Sequence, residues 1–236
     1  MKVSVVIPTY NERANITPLV EKLETVFKKH RINGTILVVD DSSPDGTADV
    51  VRSLQKKHRN VRLHLRKQRE GLGAAYKDAL PRCTGDVIVH MDADLSHNPD
   101  ELPRFLNKID EGYDFVIGSR YIAGGVRGDS MIRRVLPAIG NALYAHLLKF
   151  PVRDTTSGYR AMKRSALRDV DISELPDNFS FLSAMLFEFV RKGFRIGEVP
   201  ISFKKRVAGK PKYSFKDLLG NVKLLFWLLV RRISGS

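Results

Sequence analysis

The feature that most constrains this chain is an alternation of two periodicities from its start to Arg120. Residues 3–7, 36–39, 61–65, 87–91 and 115–117 are short, mostly β-branched runs bounded by turn residues, and they read as strands. Between them, residues 16–29, 47–57, 72–80 and 99–109 space their apolar side chains as helices do. Asn98-Pro99-Asp100-Glu101 opens the last of these: Asn98 suits a cap, Pro99 the first helical position, and Glu101 can reach back as in a capping box. Strands apolar along their whole length are covered on both faces. The expected fold class is therefore α/β, a mostly parallel central sheet flanked by helices, with ligands bound at the loops leaving the carboxyl ends of the strands.

Those loops concentrate reactive side chains. Pro8-Thr9-Tyr10-Asn11-Glu12 follows the first run and Asp40-Asp41-Ser42-Ser43-Pro44-Asp45-Gly46 the second; Asp92-Ala93-Asp94-Leu95-Ser96 follows the fourth and Gly118-Ser119-Arg120 closes the fifth. Any one of them alone is ordinary turn chemistry. Four at one edge of one sheet favour a ligand site. Asp92 and Asp94 stand two apart where a strand ends, and period-two geometry aims both carboxylates the same way. Paired carboxylates suit a hard divalent cation, Mg²⁺ or Mn²⁺, shared with a diphosphate. Asp40 and Asp41 can accept hydrogen bonds from a base or ribose, or cap the helix beginning near Thr47. Glu12 has the same ambiguity beside the preceding helix.

Past Arg120 the pattern loosens. Gly124, Gly125 and Gly128 mark a loop, and an apolar helix is expected over residues 133–149. Asp154-Thr155-Thr156-Ser157-Gly158 is another turn-rich loop. Residues 181–192 read as a helix, 196–203 as extended, 204–213 as a basic Gly/Pro loop and 215–233 as a final helix. No linker divides residues 1–213, and 214–236 form a basic amphipathic tail.

The 236 residues are enough to bury a sizeable core, and the single cysteine, Cys83, excludes a disulfide framework and a Cys-rich zinc module. A net charge of +14 calls for anionic partners. From Arg191 onward twelve Lys and Arg face only Glu198 and Asp217. A second basic stretch, residues 52–69, reads as a solvated helix face and strand edge. Nucleic acid is not expected, because the aromatics are not interleaved with the cations as stacking platforms require. His64, His90, His97 and His146 lack ligand spacing, so no histidine metal site is expected. No signal-peptide pattern opens the chain, which makes the cytoplasm the expected compartment. Leu218 to Val230 is interrupted by Gly220, Asn221 and Lys223, too polar to span a bilayer. Phe215, Leu218, Leu219, Val222, Leu225, Phe226 and Leu229 recur at helical spacing among cations, with Trp227 nearby. That stripe suits either a membrane interface or packing against the sheet.

With these motifs in view, the chain resembles the family-2 glycosyltransferases of the GT-A fold, a Rossmann-like nucleotide-sugar-binding architecture. Val5-Val6-Ile7-Pro8-Thr9-Tyr10-Asn11-Glu12, Val38-Val39-Asp40-Asp41, Met91-Asp92-Ala93-Asp94-Leu95-Ser96 and Gly118-Ser119-Arg120-Tyr121 carry the likeness. Glu198-Val199-Pro200-Ile201-Ser202-Phe203, then Arg206 and Gly209-Lys210-Pro211-Lys212, resemble the branch that makes dolichyl-phosphate mannose. The likeness runs from Lys2 to about Lys212. It implies inverting, metal-dependent transfer of mannose from GDP-mannose to a dolichyl (polyprenyl) phosphate, by a chain peripheral on the cytosolic face of a membrane. The anionic membrane surface and a separate membrane-anchoring subunit are the partners it suggests. Carried over position by position, Pro8, Tyr10, Glu12, Val38 and Asp40 line the nucleotide site; Asp92, Ala93 and Asp94 hold diphosphate and metal; Arg120, Arg133, Arg206 and Lys212 face the sugar and phosphates. Asp94, Arg120, Arg206 and Lys212 are the residues expected to carry the reaction. Two positions depart from the branch: Ser96 stands where many relatives have Gln, and Gly209-Lys210-Pro211-Lys212 replaces a Gly-Glu-Ser-Lys pattern. A UDP-sugar donor is the sibling alternative. A nucleotide-binding subunit without activity, or a basic nucleic-acid binder, is the alternative from another class.

Overall fold

Parallel strands need crossover connections, and in this chain each early apolar run is followed by a helix able to make one. The computed structural model describes residues 1–127, 141–142, 144–203 and 224–231. Strand β1 (Lys2–Thr9) leads through α1 (Arg13–His30) to β2 (Asn33–Asp40), then α2 (Thr47–Lys57), β3 (Val61–Leu65), α3 (Leu72–Ala79) and β4 (Val87–His90). There follow α4 (Leu102–Asp110), β5 (Phe115–Ser119), β6 (Val126–Arg127), β7 (Arg160–Lys163), α5 (Arg164–Leu167), α6 (Phe181–Arg191), β8 (Ile196–Pro200) and β9 (Ser202–Phe203). Single 3₁₀ turns, Leu80–Arg82 and Pro99–Glu101, extend α3 and precede α4. Asn98 caps as expected, accepting the Asp100 N–H. Glu101 instead reaches across to β9, where its Oε1 accepts the Ser202 N–H at 2.8 Å.

Seven strands form one sheet in the order β3-β2-β1-β4-β7-β5-β8, and β6 pairs with β9 in a separate ribbon. Neighbours run parallel except β7, which is antiparallel to both β4 and β5. This is the expected α/β sheet with one reversed strand. Alternate residues serve opposite cores. Val3, Val5, Ile7, Ile36, Val38 and Val89 pack with α1, α2 and α4 on one face. Val6, Leu37, Val39, Ile88, Phe115 and Ile117 pack with α3 and α6 on the other. The reversed strand is tied in by Asp114, whose Oδ1 accepts from Lys163 Nζ at 2.9 Å and whose Oδ2 accepts the Arg195 N–H at 3.0 Å.

Burial pushes the Asp114 carboxyl up, but the hydrogen bonds and charges of Lys163 and Arg195 outweigh it and hold the group below its ordinary value. A depressed carboxylate stabilises the fold above its unfolded pKa, and that contribution disappears as pH falls through the folded value. Asp114→Asn is therefore expected to cost roughly 1 kcal/mol at pH 7. In urea titrations the difference from the parent protein should shrink as pH falls below the ordinary carboxylate range and through the lowered folded value; a constant difference would show that the charge is not the cause.

Of the expected apolar stripe, Phe215, Leu218, Leu219 and Val222 lie outside the described residues, and Leu225, Phe226 and Leu229 lie within them. In the helical residues 224–231, Leu224 and Leu228 enter the core beside α6, whereas Phe226, Trp227 and Val230 are exposed. The buried line is thus one step removed from the expected one, with Leu225 and Leu229 half-buried at its margin. Among the described residues no helix is long and apolar enough to cross a membrane.

Candidate functional site

Parallel strands bring their carboxyl ends to one rim, and there the loops after β1, β2, β4 and β5 converge with the loop entering β7. Three of these loops carry a non-glycine residue in the left-handed region: Asn11 at φ 57°, Ser42 at φ 51° and Leu95 at φ 62°. For leucine this conformation costs about 1–2 kcal/mol. Strain of this kind gathers where a loop must present particular groups.

After β2, the fully buried Asp40 shapes its own loop. Its Oδ1 accepts from Thr9 Oγ at 2.7 Å and Ser43 Oγ at 2.6 Å, and its Oδ2 accepts the Ser43 N–H at 2.9 Å. The helix α2 is served by neither Asp40 nor Asp41. Asp45 Oδ1 accepts the Thr47 N–H and hydroxyl instead. Asp41 pairs with the buried Arg66, whose guanidinium also meets Glu70 and Asp78. The buried Glu12 takes the Asn15 amide at 2.7 Å, and its own N–H donates to Thr47 Oγ. Tyr10 lies under the Arg69 guanidinium, 4.4 Å from ring centroid to cation, and so the basic stretch 52–69 reaches the rim at this point. Pro8 is half-buried at the end of β1. Val38 packs its side chain into the core with α1 and α2, which leaves its backbone for the expected nucleotide contact.

Strand geometry ends at His90, so the alternation expected to align Asp92 with Asp94 does not extend to them; a turn places them. The two carboxylates are unlike. Asp92 is 36% exposed. Asp94 is buried, and its Oδ1 accepts the Ser96 N–H at 3.0 Å and hydroxyl at 2.5 Å. Between them Ala93 plugs into the core. His97, fully buried against Tyr159, accepts the Asp92 N–H at Nδ1. That bond places the ring proton on Nε2, which lies 3.7 Å from Asp92 Oδ2. Burial holds His97 below its ordinary pKa, against the pull of Asp92 and Asp94, and so keeps the ring neutral.

Arg120 leaves the end of β5 and is caught by Asp154. Nε donates to Oδ2 at 2.7 Å, Nη2 to Oδ1 at 2.8 Å, and the Arg120 N–H to Oδ2 at 3.1 Å. Burial favours the neutral form of each, yet the mutual hydrogen bonds and charge prevail, lowering Asp154 and raising Arg120. Asp92, Asp94 and Asp154 favour the charged form of His97 and Arg120 opposes it. Arg133, Arg206 and Lys212 lie outside the described residues.

Two oxygen-bearing side chains, one of them open to solvent, form a donor set suited to a hard cation. A Cβ on Gly158 would stand 3.0 Å from Asp92 Oδ1 and 3.4 Å from His97 Cε1. Glycine there lets the β7 loop approach Asp92 without displacing its carboxylate. Gly158→Ala is expected to weaken Mn²⁺ binding roughly tenfold by displacing that group. Calorimetric titration measures it, and unaltered affinity would remove Asp92 from the cation site.

Sequence reasoning passed over His97, Asp154, Gly158 and Arg69. His97 was set aside for lack of ligand spacing, yet it serves Asp92 through a single amide bond. The signal for Asp154 was present in the turn-rich run 154–158, but its partner Arg120 is 34 residues away.

A model of the family described as "Glycosyl transferase family 2" matches residues 4–171. Polyprenol monophosphomannose synthase of Mycolicibacterium smegmatis is 39% identical over 221 residues, covering 91% of this chain and 82% of that protein. Dolichol-phosphate mannosyltransferase of Pyrococcus furiosus is 33% identical over 233 residues, covering 97% of this chain but 64% of that protein, so the chain spans slightly under two thirds of its length. In fold, the chain is similar to glucosyl-3-phosphoglycerate synthase from Mycobacterium tuberculosis, solved in complex with Mn²⁺, uridine-diphosphate and phosphoglyceric acid. The TM-score is 0.73 and the identity 22%, over 97% of this chain and 78% of the other.

Proposed function

Because the chain belongs to glycosyl transferase family 2, we propose that it transfers mannose from GDP-mannose to a dolichyl or other polyprenyl phosphate, with inversion at the sugar carbon. The observation that carries this reading is the gathering of Asp92, Asp94 and the Asp154-held Arg120 at one rim of the sheet. A rim that presents both carboxylates and a fixed guanidinium suits a cation-bound diphosphate. The names of the two curated relatives support a polyprenyl-phosphate acceptor and a mannosyl donor.

The acceptor explains why no general base stands out. A phosphate monoester has a second pKa near ~6 and is already largely dianionic at neutral pH. One of its oxygens attacks the anomeric carbon from the face opposite the diphosphate. The new C–O bond forms as the bond to the β-phosphate oxygen breaks, and the electron pair leaves with GDP. No proton has to be removed. The protein's task is alignment and charge stabilisation, with Tyr10, Glu12 and Asp40 toward the nucleoside and Arg120 toward the phosphates. Arg133, Arg206 and Lys212 complete the cationic side of this reading. Asp92 and Asp94 would hold Mg²⁺ or Mn²⁺, which when bound supplies Lewis-acid neutralisation of the departing diphosphate.

A groove of about 890 Å³ is lined by Tyr121, Ala145, Phe150, Val152, the cations Lys149 and Arg153 and the carboxylate Glu198. Apolar walls with basic edges suit the first units of an isoprenoid and its headgroup. The exposed Phe226, Trp227 and Val230 suit the interface of an anionic membrane. The chain would thus work peripherally at a cytosolic membrane face, alone or with an anchoring subunit.

The test is labelled GDP-mannose with dolichyl phosphate, with and without Mg²⁺ or Mn²⁺. Lipid-linked mannose that requires a divalent cation is the expected product; none under any metal would overturn the acceptor. Replacing GDP by UDP in thermal-shift assays tests the donor, and a larger response to UDP would favour a UDP-sugar instead.

A further inference from the structure

Loops are ordinarily the loosely held parts of a fold. Residues 153–158 are an exception. Glu198 on β8 accepts the N–H groups of Arg153 and Asp154 at 2.8 and 3.1 Å. Asn141 Oδ1 accepts the Thr155 N–H at 3.0 Å and its hydroxyl at 2.6 Å, and Asn141 Nδ2 donates to Asp154 Oδ1 at 3.3 Å. From within the sheet, Arg160 donates to the carbonyls of Thr155 at 2.8 Å and Ser157 at 2.6 Å. Three separate elements therefore fasten one short loop. At its centre sits Asp154, with no exposure to solvent and both oxygens turned to Arg120.

A buried ion pair is a poor way to gain stability, since desolvation offsets its attraction. It is a good way to fix a geometry. Arginine has a long side chain whose usefulness at a phosphate depends on the orientation of a planar fork. Asp154 engages Nε and Nη2, and Thr156 Oγ takes a second bond from Nη2. Among the described residues Nη1 takes no hydrogen-bond partner, so one edge of the fork is held by hydrogen bonds while the guanidinium, 13% exposed, rests near the Tyr121 and Phe203 rings at 5.6 and 5.2 Å.

We propose that Asp154 is a positioning residue that presets Arg120, so that Nη1 meets an anionic oxygen of the donor diphosphate or the acceptor phosphate. The proposal rests on the reading of Arg120 as a phosphate-facing group in the transfer reaction. The loop links both halves of the site: Asp154 near its start sets the guanidinium, and Gly158 at its end admits the Asp92 carboxylate. A side chain already in place does not have to be ordered when substrate arrives, so the gain appears in turnover.

The test is a double-mutant cycle on mannosyl transfer at saturating donor. Asp154→Asn keeps the shape, but its amide turns an N–H against the guanidinium. It is expected to lower kcat roughly 10²-fold, with donor KM moving much less. Arg120→Ala should lose at least as much. Added to Arg120→Ala, Asp154→Asn should cost almost nothing further, because its target is gone. Independent multiplication of the two losses, or near-normal turnover by Asp154→Asn, would overturn the proposal while leaving Arg120 as a site residue. Normal turnover by Arg120→Ala would instead overturn the reading of Arg120 and the proposal with it. Should Asp154→Asn fail to fold, Asn141→Ala loosens the same loop without stranding a charge. A several-fold lower kcat that vanishes on the Arg120→Ala background supports positioning; an equal loss on both backgrounds refutes it.

Discussion

Asp94→Asn is expected to lower mannosyl transfer by roughly 10²–10³-fold or more while leaving the fold intact. The structure separates the two effects. Asp94 Oδ1 accepts both the Ser96 N–H and the Ser96 hydroxyl, and an asparagine carbonyl oxygen can accept the same pair. The turn after β4 is therefore retained. What disappears is the negative charge beside Asp92, and with it half of the attraction for a divalent cation. The thermal midpoint should stay within a few degrees of the parent protein, and the stabilisation given by GDP with Mn²⁺ should be lost. Full turnover in the variant would remove Asp94 from the site; loss of turnover together with loss of folding would make it a structural residue.

The second large effect concerns stability. Arg160 has no exposure to solvent, and its guanidinium donates to the carbonyls of Thr155, Ser157 and Leu182. Burial pushes its pKa down to about 10, which leaves it charged at neutral pH. Replacing a buried charge by an apolar group can be neutral when the charge has a single partner that is replaced as well. Here three backbone carbonyls would each lose a charged donor, Thr155 keeping only the long bond from Ser183 Oγ at 3.4 Å, and a backbone group cannot be mutated away. Arg160→Met is thus expected to cost about 3 kcal/mol or more in denaturant titrations. Because the β7 loop is released, turnover should fall in the molecules that remain folded. A loss below about 1 kcal/mol would mean that the carbonyls find other donors.

The strands and helices of the first half were legible because their packing is simple. A strand covered on both faces has to be largely apolar, and β1, β2, β4 and β5 announce themselves in this way, whereas the edge strand β3 alternates apolar residues with Arg62 and His64. The strand that reverses the sheet was not legible. Arg160-Ala161-Met162-Lys163 has neither an apolar run nor alternation, since a buried arginine opens it and a lysine paired with Asp114 closes it. Tertiary partners, not local sequence, make it a strand. The candidate site divides along the same line. Acidic and turn-forming residues at strand ends can be read directly, whereas the pairing of Arg120 with Asp154, the service of His97 to Asp92 and the stacking of Arg69 on Tyr10 depend on how distant loops meet. Val38, which the resemblance places at the site, turns its side chain into the core, so only its backbone is left to face a nucleotide.

A crystal structure of the protein soaked with GDP and Mn²⁺ tests the central claim most directly. The account predicts the cation held by the carboxylates of Asp92 and Asp94 beside the diphosphate, with Arg120 still held by Asp154. A cation bound away from both carboxylates, or a diphosphate at another edge of the sheet, would contradict it.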